Sequence, residues 1–433
     1  MKEKLKFPDN FLWGAATSSH QVEGDNKNND WWKWEKEGKF KEASGKACSQ
    51  YELFKSDFKL ARSLNHNAHR FSLEWSRIEP EEGKFDKEAI EHYREVIKTL
   101  RSLEITPIVT INHFTLPLWF CEKGGWIGKR SGYLFSIFAE KVARELGEDV
   151  KYWLTVNEPI GNIHGAYVEG SWPPGRHSLK EAAMAVVNVL KAHCLAYKAI
   201  HRVYKEKGWP NPMVSLAHFT LMYTPCRLNS KPDILSTRLR HYYVNRLFIN
   251  SLVTGRCIAP GMPLTFLPLK KSLDFIGLNY YARDYIHFQG FSPRKIFGEV
   301  CSLSHHGGSG KRNFLKWEIY PEGLYKILME FKQYGLPILI TENGICTNDD
   351  NERIDFIRGY LKEVGRAIKD GAPVFGYLYW SLIDNFEWTH GFSPRFGLIE
   401  VDYTTQRRTV RPSARIYAEI IKDNAIGLWS PTA

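Results

Sequence analysis

The chain has 433 residues, of which 43% are hydrophobic and 25% charged, an ordinary globular balance. Its formal net charge is +11, but basic residues stand among acidic ones without a long basic block, which argues against a nucleic-acid partner. The seven cysteines form no C-x-x-C pair, and the sequence has neither a signal peptide nor a long apolar run, so we expect a cytoplasmic protein that contacts no membrane.

Short apolar runs alternate with longer amphipathic segments along the whole chain. Near-continuous runs such as residues 106–111 are typical of strands buried on both faces, as in a parallel sheet. We predict strands at residues 11–18, 69–75, 106–114, 152–158, 213–219, 274–281, 337–342 and 374–382. Helical patterns lie between and after them, at residues 50–64, 87–103, 133–146, 179–207, 236–254, 322–334, 352–369 and 412–422.

Eight predicted strands, each followed by a helix, indicate an α/β fold. We predict a single-domain (β/α)8 TIM barrel spanning residues 1–433. A doubly wound open sheet is the rival, but Gly14 and Gly24 do not form the glycine-rich phosphate turn that such a sheet usually has after its first strand. No linker divides the chain. Residues 289–311 are predicted to be a long loop after the sixth strand rather than a domain boundary.

Unusual polar residues accumulate at the ends of the predicted strands, which is where the active sites of such barrels lie. The residues are Gln21, His113, Asn157, Glu158, Asn279, Tyr281 and Glu342, with Glu387 and Trp388 after the last strand. Each could be structural by itself, for example as a satisfied core histidine. Their coincidence at so many strand ends predicts one polar pocket, although Arg70 fits poorly because it opens the second predicted strand.

Two carboxylates stand out, because Glu158 and Glu342 each follow an apolar strand directly. Strands four and seven lie on opposed sides of a small barrel, so both side chains can point across its mouth. Glycoside hydrolysis needs such a pair, with one carboxyl protonated and the other ionised. Burial and mutual repulsion would raise the pKa of the acid, while Arg70 and Tyr281 would keep the nucleophile ionised.

At these residues the sequence resembles glycoside hydrolase family 1, the β-glucosidase family, over residues 7–417. Four segments in the family's order carry the resemblance: residues 11–24, 155–159, 340–344 and 380–388. It implies a retaining β-glycosidase that hydrolyses terminal non-reducing β-D-glucosides, and with them β-galactosides or β-fucosides, through a covalent glycosyl-enzyme intermediate.

The resemblance also implies a role for each matching position. Glu158 would be the acid/base and Glu342 the nucleophile. Arg70, Asn279 and Tyr281 would orient and ionise Glu342. The sugar would be bound by Gln21, His113, Asn157, Trp380, Glu387 and Trp388. Trp317 would be a platform for the leaving group, although it could equally be an ordinary packed loop aromatic.

Two other functions are alternatives to this one. A 6-phospho-β-glycosidase of the same family is disfavoured because Glu387 would repel a phosphate. A non-catalytic sugar-binding barrel is disfavoured because Glu158 and Glu342 are both present. We expect no cofactor and no metal, since His305 and His306 lack carboxylate partners at ligand spacing. The expected partner is a small β-glycoside or a short oligosaccharide, and the oligomeric state is left open.

Overall fold

Eight parallel strands close into a barrel in the computed structural model, which describes residues 4–259, 261–292, 295–301 and 310–427. The strands are β1 (Leu12–Ala16), β2 (Ala68–Ser72), β3 (Thr106–Asn112), β4 (Tyr152–Asn157), β5 (Met213–Pro225), β6 (Ile276–His287), β7 (Ile338–Asn343) and β8 (Val374–Trp380). Each pairs in parallel with the next, and β8 pairs with β1. The predicted (β/α)8 fold is confirmed.

A helix follows each strand and covers the outside of the barrel. These helices are α1 (Gln50–Ser63), α2 (Lys87–Ser102), α3 (Ser131–Leu146), α4 (Leu179–Lys207), α5 (Lys231–His241), α6 (Pro321–Phe331), α7 (Asp350–Lys369) and α8 (Pro412–Asp423). Polar N-caps fix several starts: the Asp86 carboxylate accepts from the backbone N–H groups of Glu88 and Ala89, at 2.8 and 3.0 Å.

Shorter elements lie in the connections. Short α-helices span Ser19–Val22, Asp30–Lys36, Trp75–Ile78, Leu118–Glu122, Pro159–Ile163 and Leu247–Thr254. Wider π-turns span His164–Glu169 and Tyr242–Arg246, and 3-10 turns span Gly125–Ile127, Gly147–Asp149, Lys332–Tyr334 and Trp388–His390. Small antiparallel pairs join Lys4–Lys6 with Ala425–Gly427, Arg256–Cys257 with Thr265–Phe266, and Ile399–Val401 with Arg408–Val410.

The structure moves several predicted boundaries. The helix predicted at residues 236–254 begins earlier, at Lys231, where the Ser230 hydroxyl accepts from the N–H of Asp233 at 3.3 Å, and a π-turn interrupts it. β5 and β6 run past the predicted ends because they continue to pair beyond the barrel rim, up to Pro225 opposite Ile286. Within the predicted loop, Glu299–Val300 pairs with the end of β6, and residues 293–294 and 302–309 lie outside the described residues.

The long helix α4 is an exception to the expectation of no membrane-length apolar helix. Among the described residues it alone is long and apolar enough to cross a membrane by length and composition, with 56% of its most apolar window buried inside the fold. It packs against α3 on the outside of the barrel. Core helices of such barrels have this composition, so the burial of α4 accounts for its hydropathy.

An apolar cluster fills the barrel interior beneath the strand ends. Ala68, Leu154 and Leu339 belong to it and are buried, together with Ile108 and Leu378. Ala68 precedes Arg70 on β2, Leu154 precedes Asn157 on β4, and Leu339 precedes Glu342 on β7. The polar side chains therefore stand directly on a closed apolar floor, at the C-terminal ends of the strands.

Candidate active site

The two predicted carboxyl groups lie at the C-terminal rim of the barrel. Glu342 is near the end of β7 and its side chain is buried. Glu158 directly follows β4, with a left-handed φ of 41°, and its N–H donates to the Ala217 carbonyl on β5 at 2.8 Å. Pro159 then begins a short helix. This sharp turn takes Glu158 out of the pleat of the strand, a local conformation that costs energy for a residue with a Cβ.

Glu342 receives two donors from opposite sides. The Arg70 guanidinium forms a buried ion pair and hydrogen bond with Oε1. The Tyr281 hydroxyl donates to Oε2 at 2.6 Å. Burial, and then the nearby Glu342, raise the pKa of Tyr281 well above its usual value, so this phenol stays a donor. Charge-assisted hydrogen bonds of this kind suit an ionised carboxylate and fix its orientation.

Arg70 is fully buried and contacts four groups of the site. Besides Glu342 it donates to the Asn157 side-chain oxygen at 2.6 Å, to the Thr110 hydroxyl at 2.9 Å and to the Thr341 carbonyl at 3.3 Å. The second strand is Ala68–Ser72, so Arg70 stands in its middle, and the expectation that it opens the strand is wrong. Its long side chain reaches the rim from this position.

Asn279 contacts the other carboxyl group. Its amide donates to Glu158 Oε1 at 2.8 Å and to the Asn157 side-chain oxygen at 3.3 Å, while its own oxygen accepts from the Thr341 hydroxyl at 2.6 Å. Among the carboxyl groups of the site, Asn279 is hydrogen-bonded to Glu158, and its expected role in orienting and ionising Glu342 stays a prediction. Asn157, which accepts from both Arg70 and Asn279, links the surroundings of the two carboxyl groups.

Glu158 differs from Glu342 in its electrostatic surroundings. Burial raises the pKa of Glu158 to about 8, and the charge of Glu342 adds to this, against the hydrogen bond from Asn279 and the charge of Arg70. A carboxyl group with that pKa is protonated at neutral pH and can donate a proton. The site thus combines a carboxylate held by an arginine with a neighbouring carboxylic acid.

A second group of polar side chains joins the end of β1 to the loop after β8. The Gln21 amide donates to the side-chain oxygen of Asn385 at 2.9 Å and to Glu387 Oε2 at 3.2 Å, and its oxygen accepts from the Ser18 hydroxyl at 2.6 Å. Burial, and then Glu342, raise the pKa of Glu387 to about 8. A neutral Glu387 can both donate to and accept from a hydroxyl group.

Aromatic rings stand beside these polar groups. The His113 ring lies nearly parallel to Trp380 and to Trp388, with centroids 6.0 and 6.1 Å apart and interplanar angles of 21° and 12°. His113 Nε2 pairs with the Asn157 amide at 3.1 Å, and Nδ1 has no partner among the described residues. Burial holds the pKa of His113 well below its usual value, so the neutral ring keeps a free Nδ1–H for a hydroxyl group.

Trp317 lies at the rim, outside the buried group. Its half-buried ring is 5.5 Å from Tyr281 and 6.2 Å from Phe396, measured between centroids. Tyr281 is also the donor to Glu342, so a single residue separates this ring from that carboxyl group. The expected role of Trp317 as a platform stays a prediction.

The structure also brings in residues that the sequence did not single out. Thr110 and Thr341 orient Arg70 and Asn279, and Asn385 holds Gln21. Thr110 and Thr341 occupy strand positions near the C-terminal ends, which is a signal that inward-facing alternation could have revealed. Asn385 lies inside the segment 380–388, in which the family resemblance implies roles for Trp380, Glu387 and Trp388 but not for Asn385.

No group of three or more metal-ligating side chains occurs in the part of the chain that the structure describes. His305 and His306 lie outside that part. The residues that the structure does bring together suit acid, base and nucleophile chemistry between two carboxyl groups, with hydrogen bonds for a polyhydroxylated ligand and aromatic faces for its C–H groups.

Comparisons with known proteins agree with this geometry. The sequence profile of a family described as Glycosyl hydrolase family 1 matches residues 3–426. The chain is 33% identical to β-glucosidase A of Thermotoga maritima, over 97% of this chain and 99% of that one. It is 31% identical to a β-galactosidase of Pyrococcus woesei, over 97% and 98%. The solved β-glycosidase from Pyrococcus horikoshii superposes with a TM-score of 0.91 at 41% identity, over 98% of this chain and 96% of that one.

Proposed function

We propose that this chain, which belongs to glycosyl hydrolase family 1 and is a β-glycosidase, removes terminal non-reducing sugars by double displacement with retention of configuration. The substrate is a small β-glycoside or a short oligosaccharide. The observation that carries the proposal is the unequal pair of carboxyl groups at the barrel rim. Glu342 is held by Arg70 and Tyr281, whereas Glu158 has a pKa raised to about 8.

In the first step Glu342 attacks the anomeric carbon while Glu158 transfers its proton to the leaving oxygen. The bond to the leaving group breaks as the bond to Glu342 forms, and the alcohol departs. In the second step the ionised Glu158 takes a proton from water, whose oxygen attacks the same carbon and releases Glu342. Two inversions restore the original β configuration, and Glu158 ends protonated again.

On the sugar side, Gln21, His113, Asn157, Glu387 and Trp388 bind hydroxyl groups, and Trp380 supports a C–H face of the ring. Asn157 accepts hydrogen bonds from Arg70 and from Asn279, the side chains that contact Glu342 and Glu158. These contacts support a bond from Asn157 to the 2-hydroxyl that strengthens in the transition state. The named activities of the relatives support β-glucosides as substrates with β-galactosides beside them. We propose β-fucosides as further substrates. We also propose that the protein is cytoplasmic and that residues 1–433 form a single catalytic domain.

Proton NMR of the anomeric signal tests the stereochemistry. At early times an aryl β-glucoside should release β-glucose, and the α signal should grow later through mutarotation. If α-glucose appears first, the enzyme inverts and the double displacement is wrong.

The nucleophile is tested separately with Glu342→Gly. Turnover should fall by on the order of 10⁴-fold or more, because no other group can form the intermediate. Azide should restore part of the activity toward aryl glucosides and yield the α-glycosyl azide, since it attacks from the vacated side. Glu81→Gln, which changes an exposed carboxylate paired with Lys84, is the matched control and should behave as the wild type. Rescue without an α-azide product would contradict the assignment.

A further inference from the structure

The loop that carries Trp317 is fastened to β6 by one ion pair with two hydrogen bonds. Arg283 Nε donates to Glu318 Oε2 at 2.9 Å, and Arg283 Nη2 donates to Glu318 Oε1 at 2.6 Å. Such a fork fixes both distance and orientation, which a single contact does not. The backbones of the two residues also pair as an isolated antiparallel bridge.

This ion pair is shielded from water. The Glu318 side chain is 1% exposed and that of Arg283 is 16% exposed. The guanidinium lies over the Tyr320 ring at 3.9 Å and over the Tyr285 ring at 4.7 Å. Aromatic faces on the cation and near-complete burial of the anion leave little freedom for either group to reorient, so the pair acts as a rigid joint.

The ion pair links Tyr281 on β6 to Trp317 in the loop, because each of its two residues is close in sequence to one of them. Arg283 follows Tyr281 by two positions on β6, and Tyr281 donates to Glu342. Glu318 directly follows Trp317, whose ring is 5.5 Å from that of Tyr281. One rigid strand therefore carries both the donor to Glu342 and the anchor of the tryptophan.

The same loop has other attachments that do not depend on this pair. The Phe314 backbone N–H donates to the Cys346 carbonyl at 3.1 Å, and the Tyr320 backbone N–H donates to the Tyr360 hydroxyl at 3.0 Å. These bonds keep the loop on the barrel if the ion pair is lost. What the pair adds is the angle and depth at which the Trp317 ring stands beside Tyr281.

We propose that Arg283 and Glu318 are positioning residues that set the selectivity of this enzyme for its leaving group. They act through Trp317, against which a large or aromatic leaving group packs, and they touch neither the sugar nor the reacting atoms. This inference rests on the proposed function, in which Trp317 is the platform for the leaving group.

The test compares two substrates with the same sugar. For Arg283→Met and Glu318→Gln, kcat/KM for 4-nitrophenyl β-glucoside should fall by about tenfold, as expected when a binding group is misplaced without loss of the catalytic groups. For methyl β-glucoside, whose leaving group cannot reach Trp317, the change should stay within about twofold. The inhibition constant of glucose should also stay unchanged.

A double-mutant cycle with Trp317→Ala distinguishes positioning from general destabilisation. If the pair acts through the ring, Arg283→Met should add almost nothing in the Trp317→Ala background, because the ring is already gone. Additive losses would overturn the proposal, and so would equal losses for the aryl and the methyl glucoside.

Arg408→Lys is the matched control. Arg408 forms a buried fork with Asp57, at 2.9 and 3.0 Å, but contacts neither β6 nor the loop of Trp317. It should lower the melting temperature without changing the ratio between the two substrates. If Arg408→Lys shifts this ratio as much as Arg283→Met does, selectivity follows stability and the proposal is wrong. If the wild type hydrolyses neither glucoside, the proposed function itself fails.

Discussion

The sugar side and the leaving-group side of the site are built differently. On the sugar side, Gln21, His113 and Asn157 are buried and already hydrogen-bonded to other site residues. On the leaving-group side Trp317 is half-buried, and the neighbouring Phe314 is 50% exposed. A preformed polar cavity can distinguish one hydroxyl arrangement from another, whereas an open aromatic surface accepts many shapes. We therefore expect stronger discrimination among sugars than among leaving groups, with β-glucosides, β-galactosides and β-fucosides all within the accepted set.

Among the variants that compare the two sides, Glu158→Ala should have the largest effect, because Glu158 stands between them. Glu158→Ala should lower kcat/KM for methyl β-glucoside by about 10²- to 10⁴-fold, because an alkoxide leaving group needs the proton. For 4-nitrophenyl β-glucoside the loss in the first step should be much smaller. Measuring log kcat/KM against leaving-group pKa should give a steeper slope in the variant. Equal losses for both substrates would mean that Glu158 does not donate the proton.

Glu387→Ala should act on the sugar side alone. The Glu387 carboxyl group accepts from Gln21 and its pKa is raised to about 8, so truncation removes a group that can both donate to and accept from a hydroxyl. We expect kcat/KM to fall by about 10²-fold for β-glucosides, and by a similar factor whether the leaving group is methyl or aryl. Steady-state kinetics with both leaving groups checks this. A loss of kcat/KM confined to the aryl glucoside would mean that Glu387 acts on the leaving group, which would contradict the distinction between the two sides.

The pH profile tests the assignment of the acid. Since Glu158 acts in its protonated form, activity is retained below its pKa of about 8 and is lost as the pH rises through that value. For methyl β-glucoside kcat/KM should fall by about tenfold per pH unit above that point. For 4-nitrophenyl β-glucoside the fall should be shallower. A basic limb of the same steepness in Glu158→Ala would assign it to another group.

Trp317→Ala should give the smallest effect and the most selective one. Loss of the ring should lower kcat/KM for aryl glucosides by roughly tenfold, as expected when one aromatic contact is removed. Methyl β-glucoside and inhibition by glucose should be unaffected. Parallel measurements on β-galactosides should show the same ratio, because the ring does not contact the sugar. A change in the preference between glucosides and galactosides would mean that Trp317 acts on the sugar side rather than on the leaving-group side.

The sequence predicts the barrel and its reactive carboxyl groups well because both depend on local patterns. Buried parallel strands are continuous apolar runs, and polar residues directly after such runs must lie at the rim. The same reasoning misplaced Arg70. The apolar run continues through Leu73 and Trp75, which belong to the segment after β2 and to a short helix. Hydrophobicity alone therefore shifts the strand forward, and Arg70 is assigned to the wrong end.

The partner of Asn279 shows a different limit. The hydrogen bond from Asn279 to Glu158 depends on side chains from three strands, with Asn157 and Thr341 also bonded to the Asn279 amide. No local pattern records such an arrangement. The ion pair between Arg283 and Glu318 is equally unpredictable from sequence, since nothing in either segment indicates which charged residue will be its partner. Long-range contacts of this kind appear only once the fold positions them.

The apolar floor beneath the strand ends has a consequence for the order of events. Leu154, Leu339 and Leu378 are buried together in the barrel, beneath the polar residues of the site. In the proposed second step water attacks the carbon that the alcohol has left, so the departing alcohol must vacate the position that the incoming water has to occupy. Accumulated alcohol therefore competes with water for the glycosyl-enzyme intermediate, which should slow release of the free sugar.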